Sequence, residues 1–300
     1  MTTSVAVLMG GWSSEREVSL VSGAAVAAAL TEAGYAVRTI DVPRDPARLL
    51  AQLDPRPDAI FNALHGRWGE DGTLQGLLDI LAIPYTHSGL LASAMAMHKP
   101  TAKLMFERAG IPVAEHVVVT RAEFAAGDPL PRPYVIKPLN EGSSVGVRIV
   151  RNGANVAVMS DEWTFGERVM IERFVPGREF TVAVMGDRPL GVTEITTDRG
   201  FYDYDAKYAP GGSRHVVPAQ VDPDIYAQTM ALAVKAHQAL GCRGVSRADL
   251  RYDGERLYML EVNTQPGMTP TSLVPEQASF AGIPFPELVR WMVENAEFDR

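Results

Sequence analysis

Val245-Ser-Arg-Ala-Asp-Leu-Arg-Tyr-Asp-Gly-Glu-Arg-Leu-Tyr-Met-Leu-Glu-Val-Asn263 decides how this chain is read. Its two arms, Arg247-Ala-Asp249 and Glu261-Val-Asn263, flank a hairpin signal at Asp253-Gly254. Strand residues alternate faces, so Asp249 shares a face with Arg247, and Glu261 with Asn263. A three-residue loop, Gly254-Glu255-Arg256, sets Asp249 opposite Glu261 and Arg247 opposite Asn263; a two-residue loop breaks that match. Facing acidic side chains repel and need a compensating cation. The plainer reading is a solvated strand face. Against it, Thr264-Gln265-Pro266-Gly267 leaves the sheet directly after Asn263, where sites are commonly built. Asp, Glu and Asn form an all-oxygen set that suits Mg²⁺ with room left for phosphate.

A partner for that site lies upstream, in Lys137-Pro-Leu-Asn-Glu141-Gly142-Ser143-Ser144-Val145-Gly146. Its flanks, Tyr134-Val-Ile136 and Val147-Arg-Ile-Val150, are β-rich, so the segment reads as strand, flexible loop, strand. Backbone N–H groups and serine hydroxyls of such a loop close over phosphate oxygens, and Lys137 adds a point charge. No GK[ST] ending or helix start follows, so this is not a Walker loop.

Composition frames the chemistry. The 300 residues are 46% hydrophobic and 21% charged, enough for two or three small domains with a real core. A net charge of −8 provides no general basic surface, which disfavours nucleic acid and anionic membranes as partners. Cys242 is the single cysteine, so a disulfide framework and a cysteine metal site are excluded; we expect a small buried residue. The N-terminus carries no basic lead and the Ala-rich stretch 18–33 is interrupted by polar residues, so neither a signal peptide nor a membrane span is expected and a cytoplasmic setting follows.

The first hundred residues alternate strand and helix. Val5–Met9 is a buried strand; a capping box Ser14-x-x-Glu17 opens a helix that ends near Gly34. Strands follow at Tyr35–Val42 and Ala59–Ala63, then the loop His65–Gly72, a helix to about Leu81 and a short strand Ile83–Tyr85. This is a Rossmann-like parallel sheet, with ligands expected beyond the carboxyl ends of its strands. Gly10-Gly11 lacks the third glycine of a dinucleotide fingerprint. The chain breaks at His98-Lys99-Pro100, and a helix there runs to Arg108 and stops at Gly110. An antiparallel α+β unit, Val117–Val175, ends in a strand Val169–Val175 at a hinge, Pro176-Gly177. Further strands, a helix from about Pro223 to Leu240, the acidic hairpin and a C-terminal helix complete the chain. The domains expected are 1–98, 99–176 and 177–300.

These residues together resemble the ATP-grasp fold, a Rossmann-like domain followed by two α+β domains that enclose ATP. Four segments, Gly10-Gly11-x-Ser13-x-Glu15-x-Glu17-Val-Ser, His65-Gly-x-x-Gly-Glu-Asp-Gly-Thr-x-Gln, Tyr202-Asp-Tyr-x-Ala-Lys207-Tyr208 and Glu261-Val-Asn-Thr-x-Pro-Gly-Met-Thr, are similar to the D-alanine:D-alanine ligase family within that fold. The resemblance implies an ATP-dependent joining of two D-alanines through an acyl phosphate, for peptidoglycan. It also implies two Mg²⁺ ions on Asp249, Glu261 and Asn263, with Mn²⁺ able to substitute. Lys99, Lys137 and Lys207 would hold phosphate oxygens, with Glu141, Gly142, Ser144, Glu172, Arg173, Val175 and Glu179 around the rest of ATP. Glu15 would bind the first ammonium beside His65, and Ser143 and Tyr208 would tie the glycine loop to the 201–212 segment. Arg247 and the Gly267 N–H would form an oxyanion hole, and Ser272 and Leu273 would receive the second carboxylate. A homodimer is the family's habit. Members of the same fold that use D-lactate or D-serine are the alternative, followed by other ATP-grasp ligases and a nucleotide-binding regulator. Trp12, Trp68, Arg173 and Gln265 depart from the residues expected at their positions.

Overall fold

The computed structural model describes residues 2–142, 146–154, 163, 165–197 and 212–299. Strands β1 (Ser4–Met9), β2 (Ala36–Asp41) and β3 (Ala59–Asn62) form a parallel sheet in the order β2-β1-β3. It is connected through helices α1 (Arg16–Glu32) and α2 (Pro46–Gln52) and followed by α3 (Thr73–Ile80). Buried Val5, Val7 and Phe61 face one side of this sheet, and Leu8 and Ile60 face the other, as near-continuous apolar runs require when both faces are covered. Ile83–Tyr85 does not make a strand. Tyr85 contributes isolated bridges, parallel to Ile60 and antiparallel to Glu297, because the C-terminal tail rather than a fourth strand reaches it.

Helices α4 (Leu90–Met97) and α5 (Lys99–Arg108) lead into an antiparallel sheet of β4 (His116–Thr120), β5 (Tyr134–Pro138), β6 (Arg148–Val150) and β7 (Arg168–Arg173), in the order β4-β7-β5-β6. Helix α6 (Arg121–Ala126) follows β4. The capping box expected at Ser14 and Glu17 is absent: α1 begins after Glu15, so Ser14 lies one residue before the cap position, and no side chain caps the helix. A capping box forms instead at Thr120 and Glu123 on α6.

A second antiparallel sheet, β10-β9-β8-β11-β12, is built from β8 (Arg178–Met185), β9 (Arg188–Thr196), β10 (Arg214–Val216), β11 (Val245–Tyr252) and β12 (Leu257–Asn263). Helix α7 (Pro223–Ala239), capped by Asp222, covers one face through Ala233, Ala236 and Leu240. The final helices α8 (Leu273–Phe280) and α9 (Phe285–Glu294) return to the parallel sheet. Leu288, Val289 and Met292 of α9 lie in one buried cluster with Val5, Val7, Leu30 and Phe61, so residues from opposite ends of the chain share a core. Cys242 is half-buried rather than fully buried; burial pushes its thiol up to about 12 and keeps it protonated.

Three buried histidines are held neutral by desolvation. His65 is pushed down to about 4, His87 to about 3 and His237 to about 4. His87 and His237 meet hydroxyls rather than carboxylates, Thr86 at 3.0 Å and Ser246 at 2.7 Å. Unfolded, each would take up a proton near pH 6.5, whereas folded it resists until about pH 3 to 4. Stability from these groups is therefore complete above pH 6.5 and lost as pH falls toward 4. The free energy of unfolding measured in urea should fall steadily between pH 7 and pH 4.5; a flat profile would show that the histidines are not held neutral.

Candidate active site

The β11–β12 hairpin has the expected register by an unexpected route. Asp249 pairs with Glu261 and Arg247 with Asn263, but beyond Asp249 the register shifts by one, so that Leu250 pairs with Met259. The turn holds four residues, Asp253–Arg256, and the bulge at Leu260 restores the facing of the acidic pair. Asp253 stabilises that turn by accepting from the Glu255 and Arg256 amides at 3.0 and 2.8 Å.

Arg247 is the compensating cation. Its guanidinium grips Asp249 at both oxygens, at 2.9 and 2.8 Å, and the Thr181 hydroxyl donates to Asp249 at 2.6 Å. Asn263 accepts from the Gln265 amide at 2.8 Å, which turns the chain out of the sheet and leaves its carbonyl oxygen a further lone pair. No cluster of three His, Cys, Asp or Glu side chains fit to hold a metal occurs among the described residues. Two carboxylates and an amide fit Mg²⁺, which takes few protein oxygens and completes its shell with water and phosphate.

Glu261 lies at a junction. On one side is a cleft walled by Val135, Val147, Phe174, Val175 and Leu260, with Lys99, Lys137, Glu141, Glu172, Glu179 and Asp249 around it. On the other is a polar chamber lined by Glu15, His65, Glu70, Arg247, Asn263, Gly267, Ser272 and Leu273. A smaller space beside Lys99, Glu141 and Gly142 also touches Glu261. Arg173 is not in the cleft wall; its guanidinium stacks over Tyr258 at 5.2 Å. Ser143, Ser144, Lys207 and Tyr208 lie outside the described residues.

Within the cleft, Glu172 bridges two ammonium groups, Lys137 at 2.9 Å and Lys103 at 2.5 Å. Burial would raise the Glu172 carboxyl, but the two lysines overcome it and hold the group down to about 2. Lys103 is fully buried and was not singled out from sequence; its place one helical turn after Lys99 on α5 is the available signal. Glu179 pairs with Arg251 at 2.9 Å, and Arg251 also donates to the carbonyls of Val175 and Gly177, pinning the connection between β7 and β8. Gly177 has φ +92°, and a Cβ there would sit 2.2 Å from the Tyr252 carbonyl oxygen. Lys99 donates to the Glu141 carbonyl at 2.5 Å and so anchors the start of the glycine loop.

In the chamber, Glu15 and Glu70 are both buried. Burial, and then the Glu15 charge, lift the Glu70 carboxyl well above the usual carboxylate range. Gly142 approaches so closely that a Cβ would lie 2.9 Å from Glu70 Oε1 and 3.1 Å from Glu15 Oε2. Glu70 stood inside the His65 motif but went unassigned from sequence. Gln265 also acquires a place: buried, it donates to the Leu64 carbonyl and accepts from Asn62 Nδ2 at 2.7 Å, tying the end of β12 to the loop after β3. Helix α8 begins after Ser272, which does not cap it with its side chain; Ser272 Oγ accepts from the Thr269 amide at 3.0 Å instead. Its first-turn amides thus suit a carboxylate.

A family model described as D-ala D-ala ligase C-terminus matches residues 105–294, and one described as D-ala D-ala ligase N-terminus matches residues 44–88. A D-alanine--D-alanine ligase from Rhodospirillum rubrum is 66% identical over 301 residues, covering 100% of both chains. Among solved structures, the D-alanine--D-alanine ligase from Bacillus anthracis complexed with ATP aligns with a TM-score of 0.84 at 32% identity, over 98% of this chain and 97% of that one. The VanG D-Ala:D-Ser ligase from Enterococcus faecalis aligns at 0.82 and 29% identity, over 98% and 99%. With a parallel sheet, two antiparallel sheets enclosing the cleft and these matches over its whole length, the chain belongs to the D-alanine--D-alanine ligase family and has the ATP-grasp fold.

Proposed function

We propose that this chain uses ATP to join two D-alanines, through an acyl phosphate, into D-alanyl-D-alanine for peptidoglycan. The observation that carries the reading is Glu261, which borders both the lysine-bearing cleft and the Glu15 chamber. A phosphoryl group held in the cleft would meet a carboxylate held in the chamber beside it. The 66% identity to a D-alanine--D-alanine ligase favours the dipeptide over the D-serine product named for the 29% identical neighbour.

A carboxylate is a poor electrophile because its charge must first be removed. Phosphoryl transfer from ATP does so, and the protein's share is positioning and electrostatics. Lys99 and Lys137 would bind phosphate oxygens, with Glu172 and Lys103 fixing the Lys137 ammonium at its place. Asp249, Glu261 and Asn263 would hold Mg²⁺, which neutralises charge on the phosphates. Glu15 would bind the first ammonium. His65, neutral at pH 7 through burial, would add no competing positive charge beside it. When the second amine attacks, Arg247 and the Gly267 N–H would stabilise the oxyanion. Ser272 and Leu273 would receive the second carboxylate at the uncapped start of α8. Lys207 and Tyr208 would act from the 201–212 segment, with Ser143 and Ser144 from the glycine loop. Domains of 1–98, 99–176 and 177–300, a homodimer and a cytoplasmic location complete the proposal. No described helix is long and apolar enough to cross a membrane.

ADP release should require D-alanine together with Mg²⁺-ATP, with D-alanyl-D-alanine as the product by mass; preferential coupling to D-serine or D-lactate would move the assignment to the alternative. Glu261→Gln should keep the far-UV circular dichroism of the parent while lowering kcat about 100-fold or more, since a Mg²⁺ ligand is weakened and no apolar contact is lost. Undiminished turnover would remove Glu261 from the site.

A further inference from the structure

His65 has a second exposure, away from the substrate chamber. It also lines a crevice of about 360 Å³ beyond the carboxyl ends of β1, β2 and β3. Loops from all three strands meet there: Trp12 follows β1, Arg44 follows β2, and Arg67 and Trp68 follow β3. Parallel α/β sheets bind ligands at this edge, and the volume is that of a small-molecule site. Leu49, Leu64, Leu74 and Leu77 form apolar walls.

Several observations separate this crevice from a packing gap. Trp68 adopts φ +78°, a left-handed conformation that bulky L residues rarely enter, and strain of this kind gathers at functional positions. Trp12, 37% exposed, lies with its ring centroid 6.3 Å from that of Trp68. Arg44 and Arg67 line the crevice and are exposed, and neither has a carboxylate partner among the described residues. Arg67 instead lies over the Trp68 ring at 4.7 Å. The lining carboxylate, Asp45, is occupied by the Ala47 and Arg48 amides at 3.0 and 3.2 Å. Two guanidiniums without a carboxylate partner among the described residues and two indoles line one crevice, on a chain of net charge −8, and complement a flat ring bearing negative charge.

We propose that this crevice is a second ligand site, one that takes a small planar aromatic carboxylate and acts on the substrate chamber through His65. This goes beyond the ligase reading, which leaves Trp12 and Trp68 without a part. The connection is short. Ser13 Oγ donates to the His65 carbonyl at 2.6 Å and accepts from the Glu15 amide at 3.2 Å, so loops that close on a ligand also carry the two chamber residues. The bond network gives two sites one shared wall, and an occupant that prefers one loop arrangement must alter affinity at the other.

Calorimetric titration of the full chain with 2-naphthoate, 2-naphthalenemethanol and 2-naphthylmethylamine tests the site. One naphthoate should bind per chain, about tenfold more tightly than the alcohol, as one charge-assisted contact would give. The amine should not bind. Trp68→Gly, which suits the left-handed backbone, should keep the fold by circular dichroism and lose naphthoate; Arg67→Gln should keep basal turnover and lose the preference for naphthoate over the alcohol. Saturating naphthoate should shift the KM for D-alanine in the parent and not in Trp68→Gly. Equal binding of all three probes, binding unchanged in Trp68→Gly, or competition with ATP would overturn the site. Binding seen only on dilution to monomers would assign the crevice to a second copy of the chain and overturn it too. An unmoved KM would overturn the link through His65.

Discussion

Asp249 and Glu261 face each other across neighbouring strands, and much else in the molecule follows from keeping that pair together. Directly opposite residues have Cβ atoms about 5 Å apart, close enough for like charges to destabilise a sheet. The bidentate grip of Arg247 on Asp249 offsets the repulsion, and Thr181 from β8 adds a hydrogen bond from the other neighbour. Asp249 therefore sits on a strand paired on both sides, which fixes its position better than a loop would. Glu261 is on the edge strand β12 and faces the open spaces instead.

The cleft solves a related problem with opposite sign. Lys137 and Lys103 would repel each other in a buried setting; Glu172 between them joins the three into one cluster. Removing one member of such a cluster leaves an uncompensated buried charge, which is far more costly than losing an exposed pair. Each member comes from a different element, β5, α5 and β7, so the cluster ties the small antiparallel sheet to the helix before it. Gln265 does the same for the parallel sheet. Its side chain joins Asn62 and the Leu64 carbonyl to the loop that leaves β12, holding His65 and Gly267 in one chamber.

Local signals carried far in the sequence. The alternation of strand and helix from β1 to α3, the positive φ at Gly177 and the helix opened by Pro223 depend on neighbours a few positions apart, and the structure forms them. Failures were local as well. Ser14 and Glu17 have the spacing of a capping box, but the helix starts one residue later, after Glu15, and the box does not form. A three-residue turn was expected at Gly254, and four residues with a compensating bulge at Leu260 produced the same facing pair. With the four-residue turn alone the pair would be out of register, so its facing depends on the bulge, which spacing in the sequence does not show.

By itself the sequence determined most of the strand and helix alternation, the hairpin that carries Asp249 and Glu261 and the resemblance to a ligase family, because these rest on periodicity and on motifs read within short windows. Tertiary structure decided the burial of Lys103 beside Glu172, the clasp of Gln265 on Asn62, the return of α9 to the first sheet and the crevice under Trp12 and Trp68. Asn62 and Gln265 are 203 positions apart, and no helical or strand period spans such a distance. Burial and pairing between distant segments are properties of the packed chain, and they arise only when desolvation makes an unpaired charge or amide too costly to leave alone.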